Sequence, residues 1–168
     1  MAPTTRAIPA RSVVDVSFLL AHTSHVLATR MSAEFAETET TPRSYCVLLH
    51  AMEGEFTQIE LAALSDVDKT TMVIILDELE AAGFAERLPS PADRRARIVR
   101  VTPAGRKAAA AGTLVADRVH REVLEALPPE QREVFVAALQ TLAGGHLAEP
   151  VAGPQTVRRA RGARSASR

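Results

Sequence analysis

The side chains best suited to chemistry in this 168-residue chain are cations set close together. Residues 83–107 hold seven bases (Arg87, Arg94, Arg95, Arg97, Arg100, Arg106 and Lys107) against two acids, Glu86 and Asp93. A guanidinium offers a planar fork of donors that fits phosphate oxygens two at a time. The chemistry on offer is therefore phosphate recognition. Other reactive types are sparse. Cys46 is the one cysteine, and His22 and His25 stand three positions apart. At that spacing two imidazoles share a helix face and can share a metal, with His50 or His120 as a further ligand. The alternative is a structural pair, since no cysteine or carboxylate pattern completes a site, and no metal or cofactor is assigned. No Gly-rich phosphate loop, Gly-x-Ser-x-Gly elbow or His-Glu-x-x-His pair occurs, so no enzyme class is indicated.

The formal net charge is zero, from twenty bases and twenty acids, which taken alone argues against a nucleic-acid binder. The zero hides an uneven distribution. Residues 31–82 carry eleven acids and two bases, and residues 150–168 carry five arginines and no acid. Each run could also be an ordinary solvated face. A single cysteine excludes an intramolecular disulfide and fits a reducing cytoplasm. The longest apolar runs, 72–76 and 134–139, fall far short of the ~20 residues that span a bilayer, so no membrane partner is expected. Tryptophan is absent and Tyr45 is the only tyrosine, which argues against stacking platforms for single-stranded nucleic acid.

The elements that must position these groups are mostly helical. Residues 1–11 read as a flexible arm. Ser12 with Asp15 resembles a capping box, and apolar residues from Val16 to Phe35 predict a helix over 12–37. Residues 38–42 break it, and a short apolar helix follows over 43–52. Thr57-Gln58-Ile59-Glu60 is a second capping box, opening a helix to about 64. After a turn at 65–67, Met72, Ile75, Leu76 and Leu79 predict a helix over 68–82, closed by Gly83 in the left-handed conformation. The period then changes to two: 84–88 and 98–102 read as strands around a basic, proline-rich loop. Thr102-Pro103 opens a helix to about 127, with Leu114, Val115, Val119, Val123 and Leu124 apolar. Pro128-Pro129 interrupts it, a last helix spans 130–142, and residues 148–168 read as a basic disordered tail.

Helix, short turn, helix and then a hairpin with a basic tip is an order suited to duplex DNA. The second helix enters a major groove ~12 Å wide, and the hairpin reaches flanking phosphates or the minor groove. On these residues the chain resembles the MarR (multiple antibiotic resistance regulator) family of winged-helix proteins. The carrying segments are Thr57-Gln58-Ile59-Glu60-Leu61-Ala62, Val67-Asp68-Lys69-Thr70-Thr71, Leu76-Asp77-Glu78-Leu79-Glu80, Gly83-Phe84, Asp93-Arg94-Arg95-Ala96 and Val101-Thr102-Pro103-Ala104-Gly105-Arg106. The resemblance spans about residues 18–142. It implies a mainly α fold: a winged helix-turn-helix over about 42–102 with a two-stranded β-wing, inside a domain of 12–147. Long N- and C-terminal dimerisation helices, about 12–37 and 103–145, flank it. It also implies a bacterial, cytoplasmic homodimer that binds double-stranded DNA, a repressor released from a pseudo-palindromic operator by a small-molecule inducer such as an anionic aromatic. A metal- or redox-responsive regulator, or an architectural DNA-binding protein without a ligand, are the alternatives.

Within that frame Thr57, Lys69, Thr70, Thr71, Val73, Ile74, Arg94, Arg95 and Arg97 are the expected DNA-binding residues. By the family pattern Asp93 orients a wing arginine. Val73, Ile74 and Glu78 stand where members of that family more often carry a polar or basic residue, and Val73 and Ile74 allow two readings. They either read thymine methyl groups or simply widen the core face. Asp77 and Glu78 would repel phosphate, which moves the electrostatic load to the wing. His25, Thr29, Arg43, Cys46 and His50 are the expected ligand-binding residues, with Arg43 as the positive partner of an anion. Cys46, among Tyr45, Val47, Leu48 and Leu49, reads as a buried thiol and only otherwise as a redox trigger.

Overall fold

The computed structural model describes residues 15–90, 96–149 and 151, in two units that divide after Leu124. The N-terminal arm, Ser12, the wing tip with Asp93, Arg94 and Arg95, and nearly all of the basic tail lie outside the described residues. The first unit runs α1 (Val16–Phe35), α2 (Pro42–Glu53), α3 (Gln58–Leu64), α4 (Lys69–Ala81), β1 (Ala85–Pro89), β2 (Arg97–Val101) and α5 (Pro103–Glu125). The second holds α6 (Pro129–Ala143). The architecture is mainly α with a two-stranded antiparallel wing, as the sequence predicts.

Side-chain caps set where the helices begin. The Asp15 carboxylate accepts the Phe18 amide at 3.0 Å and is itself the N-cap of α1. The helix begins at Val16 with Asp15 as its cap; Ser12, the expected start, lies outside the described residues. Thr41 accepts the Ser44 amide at 3.1 Å and caps α2. Pro42 therefore opens that helix where the sequence reading made it a breaker; a missing N–H costs nothing at the first helical position. Thr57 and Glu60 form the expected reciprocal box at α3. Asp68 caps α4, and Gly83 follows that helix at φ +72, as expected.

The strands sit one residue later and earlier than the periodicity suggests, pairing from Ala85↔Val101 to Pro89↔Arg97. The expected 84–88 and 98–102 are corrected because Phe84 and Thr102 are used otherwise. The Phe84 carbonyl accepts the Thr102 amide at 3.0 Å, and the Thr102 hydroxyl donates to the Gly83 carbonyl at 2.7 Å. That hydroxyl also accepts the Gly105 amide at 3.0 Å, capping α5. Across the wing, β2 meets the segment before α3 through one bridge, Thr57↔Ile98, with the Val99 amide donating to the Phe56 carbonyl at 3.0 Å.

The core of the first unit packs Val47 and Leu48 of α2, Leu61 of α3, Met72 and Leu76 of α4, and Val99 and Val101 of β2. The face that α5 buries is almost devoid of large side chains: Gly105, Ala108, Ala109, Gly112, Ala116 and Val119. Sequence reading placed Leu114 on the apolar face, yet it is 74% exposed. Small residues bring the α5 backbone close to its neighbours. A methyl group on Gly112 would come 2.6 Å from the Tyr45 ring, whose hydroxyl donates to Thr113 at 3.3 Å. Ion pairs Arg118–Glu34 (2.6 Å) and Arg30–Glu122 join α5 to α1. Of α1 only Phe35 is buried; Val16, Phe18, Leu20 and Val26 are exposed. In the second unit α6 buries no residue, and Val134, Phe135, Leu139 and Leu142 face outward. Arg132 there donates to the Leu127 carbonyl at 3.1 Å.

At Gly105 an added Cβ would lie 2.0 Å from the Phe84 carbonyl oxygen, a backbone atom that cannot rotate away. Gly105→Ala is expected to cost at least about 2 kcal/mol, at the upper end for overpacked sites. Urea denaturation of the variant beside the parent protein measures it.

Candidate nucleic-acid interface

The helix-turn-helix pair is α3 and α4, joined by residues 65–68. Asp66 takes φ 49, a left-handed conformation that aspartate tolerates better than most side chains. The Val67 amide donates to the Ala62 carbonyl at 3.0 Å and holds the turn closed. At the start of α4 Asp68 accepts the Thr70 and Thr71 amides at 2.9 and 3.0 Å and the Thr71 hydroxyl at 2.5 Å.

Met72, Ile75, Leu76 and Leu79 are buried, and the other side of α4 is open. Lys69, Thr70, Asp77 and Glu78 are exposed, with Val73 at 38% and Ile74 at 54%. The two readings of Val73 and Ile74 thereby separate: neither belongs to the core of this chain. Thr57 and Thr71 are differently placed. Both hydroxyls are engaged in helix caps, Thr57 with Glu60 and Thr71 with Asp68. Arg97 and Arg100 are exposed on β2.

One basic residue of the block is already occupied. Arg87 on β1 donates from its backbone amide and its Nε to Glu80 at 2.8 and 2.9 Å, and from its terminal nitrogen to Glu80 at 2.6 Å and to Asp77. This clamp ties the wing to α4. It also corrects the expectation that Asp77 repels phosphate, since that carboxylate has a cation of its own. Glu78 has no ion pair among the described residues. Hydrogen bonds from Arg87 hold the Glu80 carboxyl below its ordinary range, and Glu80 with Asp77 pushes Arg87 above its own. The Thr71 hydroxyl lowers Asp68 and the Thr57 amide lowers Glu60.

The expected ligand residues lie on two helices, His25 and Thr29 on α1 and Arg43, Cys46 and His50 on α2. His25, Thr29 and Arg43 are exposed, and the Thr29 hydroxyl donates to the Val26 carbonyl at 2.8 Å. His50 lies 3.8 Å from Glu53. Cys46 is half-buried, and burial followed by the Glu53 charge pushes its thiol up. None of the five lines the cavity of about 370 Å³ between the ends of α1 and α4. Its lining, Thr38 to Pro42 included, went unnoticed in the sequence because a loop between helices carries no periodic signal. His22 stacks on Phe18 with ring centroids 5.5 Å apart. Among the described residues no group of three or more histidines, cysteines or carboxylates could hold a metal, and no helix is long and apolar enough to cross a membrane.

The depressed carboxyls carry a sign. Each is more acidic folded than unfolded, so its stabilisation is complete above the ordinary carboxylate range. It is lost as pH falls through the lower folded-state value. Denaturation free energy is expected to hold between pH 7 and about 5 and to fall below about 4. Arg87→Ala should cost about 1 kcal/mol, discounted for solvent at a partly exposed pair. It should also remove the Glu80 share of the acid response, which titration of stability in the variant checks.

Comparison with known proteins agrees with this geometry. The MarR family model matches residues 39–96. The transcriptional regulator HosA of Escherichia coli O111:H- is 32% identical over 85 residues, 51% of this chain and 63% of HosA. The chain thus spans a little under two thirds of that relative's length. A MarR-family transcriptional regulator from Rhodococcus sp. RHA1 superposes with TM-score 0.72 at 26% identity, over 79% of this chain and 96% of that one. CouR from Rhodococcus jostii RHA1, bound to p-coumaroyl-CoA, gives 0.67 at 28% identity over 77% and 92%. The repressor CouR bound to a 23-mer DNA duplex gives 0.70 at 27% identity over 76% and 92%. In its helix-turn-helix, two-stranded wing and long flanking helices the chain is similar to MarR-family transcriptional regulators, the family whose model matches residues 39–96.

Proposed function

We propose that the chain is a homodimeric DNA-binding regulator, a repressor that a small-molecule ligand releases from a pseudo-palindromic operator. The observation that carries this reading is the open face of α4. Lys69, Thr70, Val73 and Ile74 project from a helix whose opposite face is fixed in the core, beside the exposed Arg97 and Arg100 of the wing. Lys69 and Thr70 contact base edges and phosphates at the start of the helix, and Val73 and Ile74 meet thymine methyl groups. Thr57 and Thr71 hold the two helix starts in place. Arg94 and Arg95, with Arg97, supply the attraction to phosphate. The exposed apolar residues of α1 and of α6 are the dimer-forming surfaces. CouR, seen once with DNA and once with a small molecule, supports a ligand-responsive mode of action.

Two recognition helices of a dimer enter major grooves about one turn apart, so the operator is expected to be a pseudo-palindrome. A footprint of the purified protein on its own promoter region tests the reading; a chain that protects no site there is not an autoregulator. Replacing Arg94 and Arg95 together by alanine should weaken binding to all sequences alike. It should also flatten the salt slope by about one unit per lost phosphate contact. Unchanged binding across a salt series would remove the wing from the interface. The raised thiol of Cys46 argues against a redox trigger, so peroxide treatment should leave the gel shift unaltered.

A further inference from the structure

The cavity of about 370 Å³ is of the size that takes a small organic ligand. Its floor is apolar: Phe35 at the end of α1, Leu79 near the end of α4, and Phe84, all buried. Its rim carries two carboxylates, Glu39 and Glu78, both exposed and neither in an ion pair among the described residues. Among the described residues no lysine, arginine or histidine lines it. Two helices end at it, since the C-cap residues Ala36 of α1 and Ala82 of α4 both belong to the wall. Neither helix has a base of its own in its last turn, although Arg87 of β1 is bound to Glu80 near the end of α4. The start of α2 also reaches the wall, but there the Thr41 hydroxyl already takes the Ser44 amide at 3.1 Å. Thr40, another lining residue, is only 7% exposed, and its hydroxyl has no hydrogen-bond partner. A buried hydroxyl left unpaired is costly and marks a place where a polar group is wanted.

We propose that this cavity is a binding site for an organic cation, an amine carried on an aromatic body. The ammonium sits between Glu39 and Glu78, the body lies on Phe35, Leu79 and Phe84, and a polar substituent pairs with Thr40. An anionic aromatic fits poorly, because the lining gives it repulsion and no cationic partner. As the inducer site of the regulator it rests on the reading above. Its walls belong to α1 and to the recognition helix, so a ligand that bridges them alters how α4 is presented to a groove.

The test uses the full-length protein without DNA, titrated calorimetrically with 1-naphthylmethylamine and separately with 1-naphthoate, an aromatic probe of opposite charge. The amine should bind and the carboxylate should not. Glu39→Gln and Glu78→Gln should each weaken the amine by about tenfold, as expected for losing one charge-assisted contact at a partly exposed site. Circular dichroism checks that both variants fold. Equal binding of the carboxylate, amine binding indifferent to both substitutions, or no amine binding at millimolar concentration would each overturn the proposal. A gel shift on the promoter region, with and without amine, separates the two readings. Loss of the shift on adding amine supports both. A free protein that shifts no duplex overturns the regulator reading, while the calorimetry still decides the site.

Discussion

The peptide between Phe84 and Ala85 is the constraint on which the winged lobe depends. Its carbonyl takes the Thr102 amide and lies so close to Gly105 that no side chain fits there. Three elements meet at that oxygen: the exit from α4, the base of the wing and the first turn of α5. The Thr102 hydroxyl, shared between the Gly83 carbonyl and the Gly105 amide, fixes the same junction from the other side. The Val-Thr-x-x-Gly segment is therefore a joint, each of whose two polar or small positions has a geometric reason. With the joint set, the Arg87 clamp fixes how the hairpin leans on α4.

Most of this lobe was legible because it is built from local signals. Thr57 with Glu60, Thr102 with Pro103 and Gly83 announce element ends through backbone groups a few residues away. Met72, Ile75, Leu76 and Leu79 announce a buried face through a period of 3.6. What stayed hidden involves residues distant in sequence. Nothing in the spacing of Arg87 tells that it is held by Asp77 and Glu80, so it counted as one more base of the block. The packed face of α5 was misread because its signal is a lack of volume. Alanines and glycines bury little apolar area each, whereas Leu114 looks like core and is not. The strands came out one residue off because Phe84 and Thr102 are β-like in composition but serve the joint.

The charge distribution also reads differently in three dimensions. The acids of residues 31–82 do not act as one repulsive field. Glu60 and Asp68 cap helices, Asp77 and Glu80 hold Arg87, and Glu34 pairs with Arg118. The carboxylates left over include Glu39 and Glu78, which sit together on one rim of the protein. A neutral chain can thus keep exposed cations on its wing and a separate acidic pocket, since several of its other acids are tied up by caps and ion pairs.

Gly112 bears on how the long helix is seated. The Tyr45 ring fills the space where a side chain at that position would stand, with Phe35 packed against Tyr45 at 5.4 Å between centroids. The ring works as a key in a slot: it seats against α5 where the helix presents no side chain, and a Cβ at position 112 would have to push it out of place.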